Sequence, residues 1–322
     1  MKIFVRMFRH MIFSLLVLSF VVFCFSRLAP GDPLRAYYGD GLQKMNTEQM
    51  LDARHRLGLD KPIYLQYGYW LKSAIHGDFG ISLKYKEPAV DVINDFLPNT
   101  FLLGGLGFVL IVIGSLTIGV YCIFYEGRWV DRFICYIGTI TSSIPPFWLA
   151  LMFLFLFSVK WKLLPSSGAY DLGKSNDLAN RLEHIILPLL TLAVSHIWYY
   201  AYMVRNKLST EVREEYVRLS KSKGMSKKKT LFVHCLKNIM PTFLSLMALS
   251  LPHLLGGTYV IETVFNYPGL GLLSFESAKY HDYNMLMVLT LMTGFVVIAA
   301  NDLAIALQGI IDPRMKNGGD FK

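Results

Sequence analysis

Six runs of about twenty apolar residues, separated by polar segments, constrain the fold of this chain more than any other feature. A bilayer core of about 30 Å is crossed by a helix of about 20 apolar residues. Because unpaired backbone groups are costly in lipid, each span is expected to be helical. The sequence therefore predicts an all-α polytopic membrane protein with spans near residues 10–28, 100–124, 133–158, 185–204, 239–261 and 284–311.

The composition agrees with a membrane protein, since 53% of the residues are apolar and only 17% are charged. A net charge of +9 could suggest nucleic-acid binding, but the positions of the charges argue against it. The segments on one side of the spans carry 18 of the 32 Lys and Arg residues, although they are about half as long as those on the other side. Short basic segments stay in the cytoplasm. Both termini are therefore predicted to be cytoplasmic, with membrane lipid and no nucleic acid as a partner.

The first span also has features of a signal peptide, because Lys2, Arg6 and Arg9 precede its apolar stretch. No small-x-small cleavage site follows, and Phe23 before Cys24 does not suit a lipoprotein signal. We expect a retained helix at 1–28, although the charge distribution does not exclude cleavage.

The polar segment after the first span is predicted to form a small external subdomain. Asn46 and Gln49 have the spacing of a capping box at the start of one helix, and Gly58 is its expected stop. A second helix is expected to begin near Pro62 and to end before Gly77. The sequence GDFGISLKYKEP then predicts a turn with a short extended piece.

Two spans contain residues that interrupt helices. Proline removes a backbone donor and clashes with the preceding turn, so a bend or break is expected at Pro145 and Pro146 in the third span. The fifth span is expected to be interrupted by Pro252, Gly256 and Gly257. Broken helices in membranes can line a transport path, although Pro and Gly are also simply common there.

Four ionisable residues are predicted within or at the ends of spans, where they are candidates for function. For Glu262, a role in lining a transport path and a purely structural role are equally supported by the sequence. For Asp302 a structural hydrogen bond is the favoured interpretation. The remaining two are His196 and His253.

No motif of an active site is present in the sequence. There is no phosphate-binding GxxxxGK[ST], no HExxH, no CxxC and no GxSxG. The eight histidines are scattered, without a pair at i, i+4 spacing, and none of the four cysteines lies in a predicted external loop. We expect no enzyme activity, no catalytic residue, no metal site and no disulfide framework in this chain.

The segment Glu214–Pro241, hereafter the basic hairpin, is the most informative polar stretch. Gly224 is a natural left-handed stop for a first short helix, and Ser226 can cap a second one. Three lysines at 227–229 oppose the positive end of the second helix dipole. Contact with anionic headgroups or with an acidic protein surface would explain these lysines better than helix stability does.

The residues of the basic hairpin resemble those of a known family. EYVRLSKSKG followed by NIMP resembles the cytoplasmic EAA-type loop of bacterial ATP-binding-cassette (ABC) importer permeases. The whole chain is similar to the first permease subunit of dipeptide, oligopeptide and nickel importers. The motifs that carry this likeness are LAPGDP, LGLDKPIYLQYGYW, GDFGISL, LPNT, PPFW, LLPSSG, LLGGTYVIETVFNYPGLGLL and the closing DPR.

The resemblance implies a type I importer permease fold. Its parts would be an N-terminal membrane helix, an external subdomain, a permease core that includes a coupling loop at 205–238, and a cytoplasmic tail. Their boundaries would be 1–28, 29–95, 96–311 and 312–322. The residues that would contact an ATPase subunit are Glu215, Tyr216, Arg218, Ser220, Ser222, Gly224 and Met225. Many relatives have alanine where this chain has Ser220 and Ser222.

The implied assembly has two homologous permeases, two ATPase subunits and an extracytoplasmic substrate-binding protein in a bacterial inner membrane. ATP and Mg would be bound by the ATPases, so this chain would need no cofactor. The substrate would be a peptide or nickel, free or chelated, and the motifs do not separate these. The alternatives are an integral membrane enzyme, which would need clustered polar residues, and a membrane scaffold or sensor that recruits a soluble partner through the basic hairpin.

Overall fold

The computed structural model of the chain describes residues 2–28, 34, 38–56 and 59–311. The tail 312–322, the helix stop at Gly58 and most of the LAPGDP motif lie outside these residues. The α-helices are α1 Lys2–Leu28, α2 Thr47–Arg56, α3 Ile63–Ile75, α4 Ala89–Phe124, α5 Trp129–Ser143, α6 Pro146–Phe153, α7 Leu178–Glu211, α8 Glu215–Ser222, α9 Lys227–Thr230, α10 Leu236–Val264, α11 Leu270–Lys279 and α12 Tyr283–Ile311. Two π-helical segments, Leu154–Lys160 and Leu231–Cys235, extend α6 and join α9 to α10.

Within the described residues, five helical runs are long and apolar enough to cross a membrane, and a bent pair of helices is a sixth candidate. In chain order they match the six predicted spans, which confirms the predicted fold class. Several runs are longer than the apolar stretches, since α4 begins at Ala89 and α7 ends at Glu211. A helix keeps its own backbone hydrogen bonds in water as well as in lipid, so hydropathy marks the membrane part and not the helix ends.

The bend expected in the third span lies between α5 and α6, whose axes differ by 100°. Pro145 has an extended backbone, and Pro146 is the first residue of α6. A residue before proline is forced away from helical angles, and Ile144 is indeed extended, with φ −85° and ψ 124°. The two prolines therefore end one helix and begin the next.

The predicted interruption of the fifth span is wrong. Helix α10 continues from Leu236 to Val264 through Pro252, Gly256 and Gly257. A proline inside a helix removes one backbone hydrogen bond, and the other bonds hold the helix together in an apolar environment. Pro98 and Pro188 lie inside α4 and α7 in the same way.

Glycines allow α7 to approach its neighbours closely. A Cβ atom at Gly119 of α4 would lie 2.5 Å from Cγ1 of Val204 on α7. A Cβ at Gly257 of α10 would lie 3.0 Å from Cε1 of His196, also on α7. Small residues at such crossings are how membrane helices gain van der Waals contact. Gly257 thus serves packing, which accounts for its presence in an unbroken helix.

The chain divides into two compact units, residues 1–100 with 268–299 and residues 101–267 with 300–322. Buried apolar residues of the first unit form two clusters, one around Phe23 and Trp70 and another around Val92 and Leu289. The second unit has a single large cluster, which includes Ile111, Leu192 and Phe243. The predicted boundaries at 28/29 and 95/96 remain predictions.

The segment after α1 folds as its local signals predict. Asn46 and Gln49 form the reciprocal capping box, with N–O distances of 2.8 and 3.0 Å. Helix α3 begins directly after Pro62, and the extended piece forms a bridge between Ile81 and Pro88. These contacts lie within a few residues of one another, so the sequence alone specifies them.

Contacts between residues that are distant in the sequence attach this segment to the rest of the first unit. Tyr67 of α3 contacts the hydroxyl of Ser19 on α1 at 2.8 Å. The hydroxyl of Ser82, in the GDFGISL motif, donates to the buried carboxylate of Asp282, and Tyr85 donates to Glu276 at 2.9 Å. The motif is thereby held to the segment 276–284.

Candidate functional site

The first helix of the basic hairpin, α8, ends in a Schellman motif. Gly224 has a φ of +78°, the left-handed conformation that favours glycine. The N–H of Met225 donates to the carbonyl of Ser220 at 3.1 Å, and the N–H of Gly224 donates to Lys221 at 3.0 Å. A Cβ atom at Gly224 would meet nothing within 4 Å. The glycine is therefore required by the backbone angle and not by a lack of space.

The second helix of the hairpin starts at the predicted cap. The hydroxyl of Ser226 accepts the N–H of Lys229 at 3.3 Å. From Lys227 the chain stays helical through α9, the π-helical segment and α10 as far as Val264. A displacement of the hairpin would therefore be passed directly to a membrane-spanning helix.

The short helix α8 has one buried face and one exposed face. Val217 and Ser220 are buried, whereas Leu219 is 56% exposed. Two residues along a helix are about 200° apart, so Leu219 points away from Val217. The exposed residues of α8 are Glu215, Arg218, Leu219, Lys221 and Ser222, which together form its exposed face.

This division refines the predicted contact set. Ser220 donates its hydroxyl to the carbonyl of Tyr216 at 2.8 Å and is turned inward. Tyr216 and Met225 are partly buried. Leu219 was not among the predicted contacts, although its helical spacing from Val217 could have placed it on the exposed face.

The hydroxyl of Tyr216 connects α8 to two longer helices. It donates to the carboxylate of Glu211, at the end of α7, at 2.6 Å. The same carboxylate oxygen accepts from the side-chain amide of Asn238 on α10 at 3.0 Å. Burial, followed by the hydrogen bond to Glu211, raises the pKa of Tyr216, so the phenol remains a donor. The ends of α7, α8 and α10 are thus joined at one carboxylate.

Lys227 makes a contact that the sequence did not indicate. Its ammonium donates to the carbonyls of Ile123 and Phe124, the last two residues of α4, at 3.1 and 2.9 Å. The last carbonyls of a helix lack partners within the helix and carry its negative dipole end. Of the three lysines expected to face headgroups or an acidic partner, Lys227 instead binds the protein itself. Lys228 and Lys229 are exposed.

The turn between α4 and α5 is joined to α7 by charged groups. Arg205 binds both carboxylate oxygens of the buried Asp131 at 2.7 Å, and the N–H of Gly127 donates to the same carboxylate at 3.1 Å. Glu126 accepts from the hydroxyl of Ser209 at 2.7 Å and pairs with Arg213 at 3.2 Å. The segments 125–132 and 205–238, which the charge argument had assigned to one side of the membrane, therefore meet in the structure.

In the second unit, the loop before α7 also contacts the end of α10. The N–H of Gly168 donates to the carbonyl of Phe265 at 3.0 Å. Nδ1 of His184 lies 3.0 Å from the carbonyl of Ser167, and its Nε2 lies 3.4 Å from Asp171. The segments 159–184 and 262–283 contribute these residues, in agreement with their assignment to a common side.

The predicted path residues occupy different surroundings. Pro145 and Pro146 lie at the bend, Gly257 packs on His196, and Glu262 is fully buried. The side chain of Pro252 lies outside the described part of the chain, and Gly256 is exposed. Whether any of them lines a path remains a prediction.

A cavity of about 370 Å³ lies beside the bend, between α5, α7 and α4. Its wall is a mixture of apolar, hydroxyl and thiol side chains: Ile118, Cys122, Ile134, Cys135, Thr139, Ser142, Ser143, Trp198, Tyr199, Ala201, Tyr202 and Arg205, with Gly138. Ser142 and Ser143 come from the last turn before the bend. Sequence patterns did not reveal this cavity because its lining residues come from three separate helices.

No group of three or more His, Cys, Asp or Glu side chains that could hold a metal is found among the described residues. In the basic hairpin, Ser220 and Lys227 donate to backbone carbonyls, and Tyr216 and Asn238 donate to Glu211. These contacts join several helices to one another, and the fold defines the class as a polytopic helical membrane protein.

Comparison with known proteins identifies the class more closely. The family described as "Binding-protein-dependent transport system inner membrane component" matches residues 115–317. The family that describes the N-terminal part of such membrane components matches residues 1–104. The chain therefore belongs to the inner-membrane permease components of binding-protein-dependent ABC importers. Members of this family are permease subunits and not enzymes.

Relatives match along nearly the whole chain. The oligopeptide transport system permease protein AppB of Bacillus subtilis (strain 168) is 31% identical over 301 residues, which are 93% of each chain. A putative peptide permease of Brucella suis biovar 1 (strain 1330) is 31% identical, covering 94% of this chain and 95% of that one. A probable peptide ABC transporter permease of Sinorhizobium fredii (strain NBRC 101917 / NGR234) is also 31% identical, over 96% and 98%.

The fold itself is similar to a solved transporter. An inward-facing structure of the MetNI methionine ABC transporter contains a chain with a TM-score of 0.52 and 16% identity. The likeness covers 68% of this chain and 97% of that one. It supports the type I permease fold, and membership of the family implies ATPase and substrate-binding partners in general.

Proposed function

We propose that this chain forms half of the translocation path of an ATP-driven importer for peptides or for nickel, free or chelated. The named relatives are peptide permeases, which favours a peptide as the substrate. Family membership also favours an importer over a scaffold or sensor.

The coupling element of this importer is the exposed face of α8, which docks on a cytoplasmic ATPase subunit. The observation that carries this proposal is the attachment of the basic hairpin to three membrane helices. Tyr216 joins it to α7 and α10 through Glu211, and Lys227 joins the following helix to the end of α4. A push on Glu215, Arg218 and Leu219 would therefore move several helices together, as a rigid-body transition requires.

The orientation follows from the same arrangement. The basic segments 125–132 and 205–238 meet at one end, which by the positive-inside rule is cytoplasmic. Both termini are then cytoplasmic in an inner membrane. A second homologous permease, two ATPases and an external substrate-binding protein complete the assembly, with ATP and Mg bound by the ATPases.

Two changes on the exposed face test the coupling role, one reversing a charge and one introducing a charge at an apolar position. In Glu215→Lys and Leu219→Asp we expect loss of ATP-driven uptake and loss of ATPase co-purification, with normal amounts of permease in the membrane. The control is Lys223→Asp, which adds negative charge beyond the end of α8 and is expected to retain at least half of the uptake. Normal uptake and normal ATPase recovery in both test variants would overturn the coupling role.

The substrate is tested on the partner binding protein. Titration calorimetry with a mixed peptide library and with chelated nickel is expected to give heats only for the peptides. Binding of chelated nickel alone would transfer the proposal to metal import.

A further inference from the structure

An apolar groove of about 520 Å³ lies between the end of α4 and the basic hairpin. One wall comes from the last turns of α4, and the other comes from α9, the π-helical segment and the start of α10. The lining residues are Leu116, Thr117, Val120, Tyr121, Phe124, Tyr125, Lys228, Phe232 and Leu236. No acidic residue lines it.

The groove is lined mainly by apolar and aromatic side chains, and Lys228 is the charged residue among them. Phe124 and Phe232 face each other across it, with ring centroids 6.3 Å apart. Lys228 is exposed and lines the groove, and the guanidinium of Arg128 lies 5.8 Å from the ring of Tyr125, another lining residue. Lys227, in contrast, is already bonded to the carbonyls of α4.

We propose that this groove binds one acyl chain of an anionic phospholipid whose phosphate pairs with Lys228. Charge complementarity supports a lipid, since a lysine beside an apolar channel matches a phosphate attached to an acyl chain. The groove also lies at the end of a membrane-spanning helix, where Tyr121 and Tyr125 are typical of the interface between lipid and water. Anionic lipids attract basic side chains at the cytoplasmic surface, so the placement in the inner leaflet rests on the orientation proposed above.

A lipid bound in this groove would affect how firmly the basic hairpin is attached to α4. The lipid would bridge Phe124 at the end of α4 and Phe232 beside α9, close to the contact that Lys227 makes. The lipid would thus hold α4 and the basic hairpin together in addition to their direct hydrogen bonds.

Native mass spectrometry of the purified full chain tests this proposal. The protein is presented with equal amounts of phosphatidylglycerol and phosphatidylcholine of the same acyl length. We expect phosphatidylglycerol to be retained about fivefold better, the size of effect expected for one lysine near an anionic surface. Lys228→Gln should abolish the preference and Lys228→Arg should keep it. The matched control Lys229→Gln should leave it unchanged, and Phe232→Ala should weaken the retention of both lipids.

Several outcomes would overturn the proposal. They are equal retention of the two lipids by the unmodified protein, an equal loss of preference in Lys228→Gln and Lys229→Gln, and competition by millimolar inorganic phosphate. A further one is a cross-link from Lys228→Cys to an ATPase subunit or to a second permease in the assembled transporter. Lipid retention is measured on the purified chain and does not depend on transport. Uptake assays that contradict the coupling role would therefore leave the lipid result unaffected, and the two proposals can fail independently.

Discussion

Arg205 holds Asp131 through two parallel hydrogen bonds of 2.7 Å, although the two residues are 74 positions apart in the chain. The Asp131 side chain is 3% exposed and that of Arg205 is 22% exposed. Charge-assisted hydrogen bonds of this bidentate geometry are about twice as strong as bonds between neutral groups. This pair fixes the start of α5 against α7, beside the turn that Lys227 approaches from the hairpin.

Removal of one partner of this pair is expected to destabilise the protein. In Asp131→Asn, Arg205 loses its counter-ion in a largely buried position, and we expect about 3 kcal/mol less stability. Thermal unfolding of the purified chain in detergent measures this. Arg213→Lys, at the more exposed pair with Glu126, should change stability by less than about 1 kcal/mol. Equal shifts in the two variants would contradict a special role for Asp131.

Lys227 is expected to couple the hairpin to α4. In Lys227→Gln the bonds to Ile123 and Phe124 lose their charge, which should weaken the contact by about 1 kcal/mol. ATP hydrolysis would continue, but fewer substrate molecules would be imported for each ATP. The measurement is the ratio of uptake to hydrolysis in proteoliposomes. Lys229→Gln removes a neighbouring exposed charge and should retain the normal ratio; if both variants behave alike, the contact with α4 is not involved.

The backbone at Gly224 is expected to tolerate asparagine better than valine. A side chain in the left-handed conformation costs about 1–2 kcal/mol for most residues, whereas asparagine adopts it more readily. Gly224→Val should therefore reduce uptake severalfold and Gly224→Asn only slightly, with equal amounts of both in the membrane. Since the site has room for a Cβ atom, equal defects would show that the backbone angle is not what matters.

Asp171 provides a pH-dependent contact in the loop before α7. Hydrogen bonds from Asn180 and then Lys174 lower the pKa of its carboxyl group. Because its pKa in the folded state is lowered, its contribution is complete above the ordinary value of about 4 and is lost as the pH falls through the lowered value. We expect Asn180→Leu to raise this pKa and Asn176→Leu to leave it unchanged, as measured by NMR titration of the labelled carboxyl.

The same loop should also open more easily in Asn180→Leu. The N–H of Gly168, which donates to Phe265, should exchange its hydrogen faster in that variant at neutral pH. Unchanged exchange at Gly168 would show that Asp171 and Asn180 do not hold the loop.

Signals within a few residues of each other predicted the local structure well. The capping box at Asn46, the left-handed Gly224 and the cap at Ser226 are all found where expected. The bend at Pro145 was predicted for the same reason, because the geometry of consecutive prolines is intrinsic to the chain. The unbroken α10 shows the limit of such rules, since this helix continues through Pro252 and Gly257; the position of Gly257 against His196 of α7 became visible only in the tertiary structure.

The candidate site was predicted in part. The helical hairpin followed from the sequence, and the family resemblance named Glu215 and Arg218 as contact residues; both are exposed. Neither source indicated the inward turn of Ser220 or the exposure of Leu219, and the contact role itself remains a prediction. The sequence pattern gives the angle between side chains around a short helix. It does not say which side of that helix faces the protein.

The amino-acid sequence by itself determined the membrane class, the number and order of the spans, and the hydrogen-bonded caps of the hairpin. These depend on hydrophobicity and on backbone geometry, which act over short stretches of chain. Tertiary structure alone decided that Lys227 binds the end of α4, that Arg205 binds Asp131 and that a groove opens beside Lys228. Each of these joins residues about 70 to 120 positions apart, and their meeting depends on how the helices pack in three dimensions.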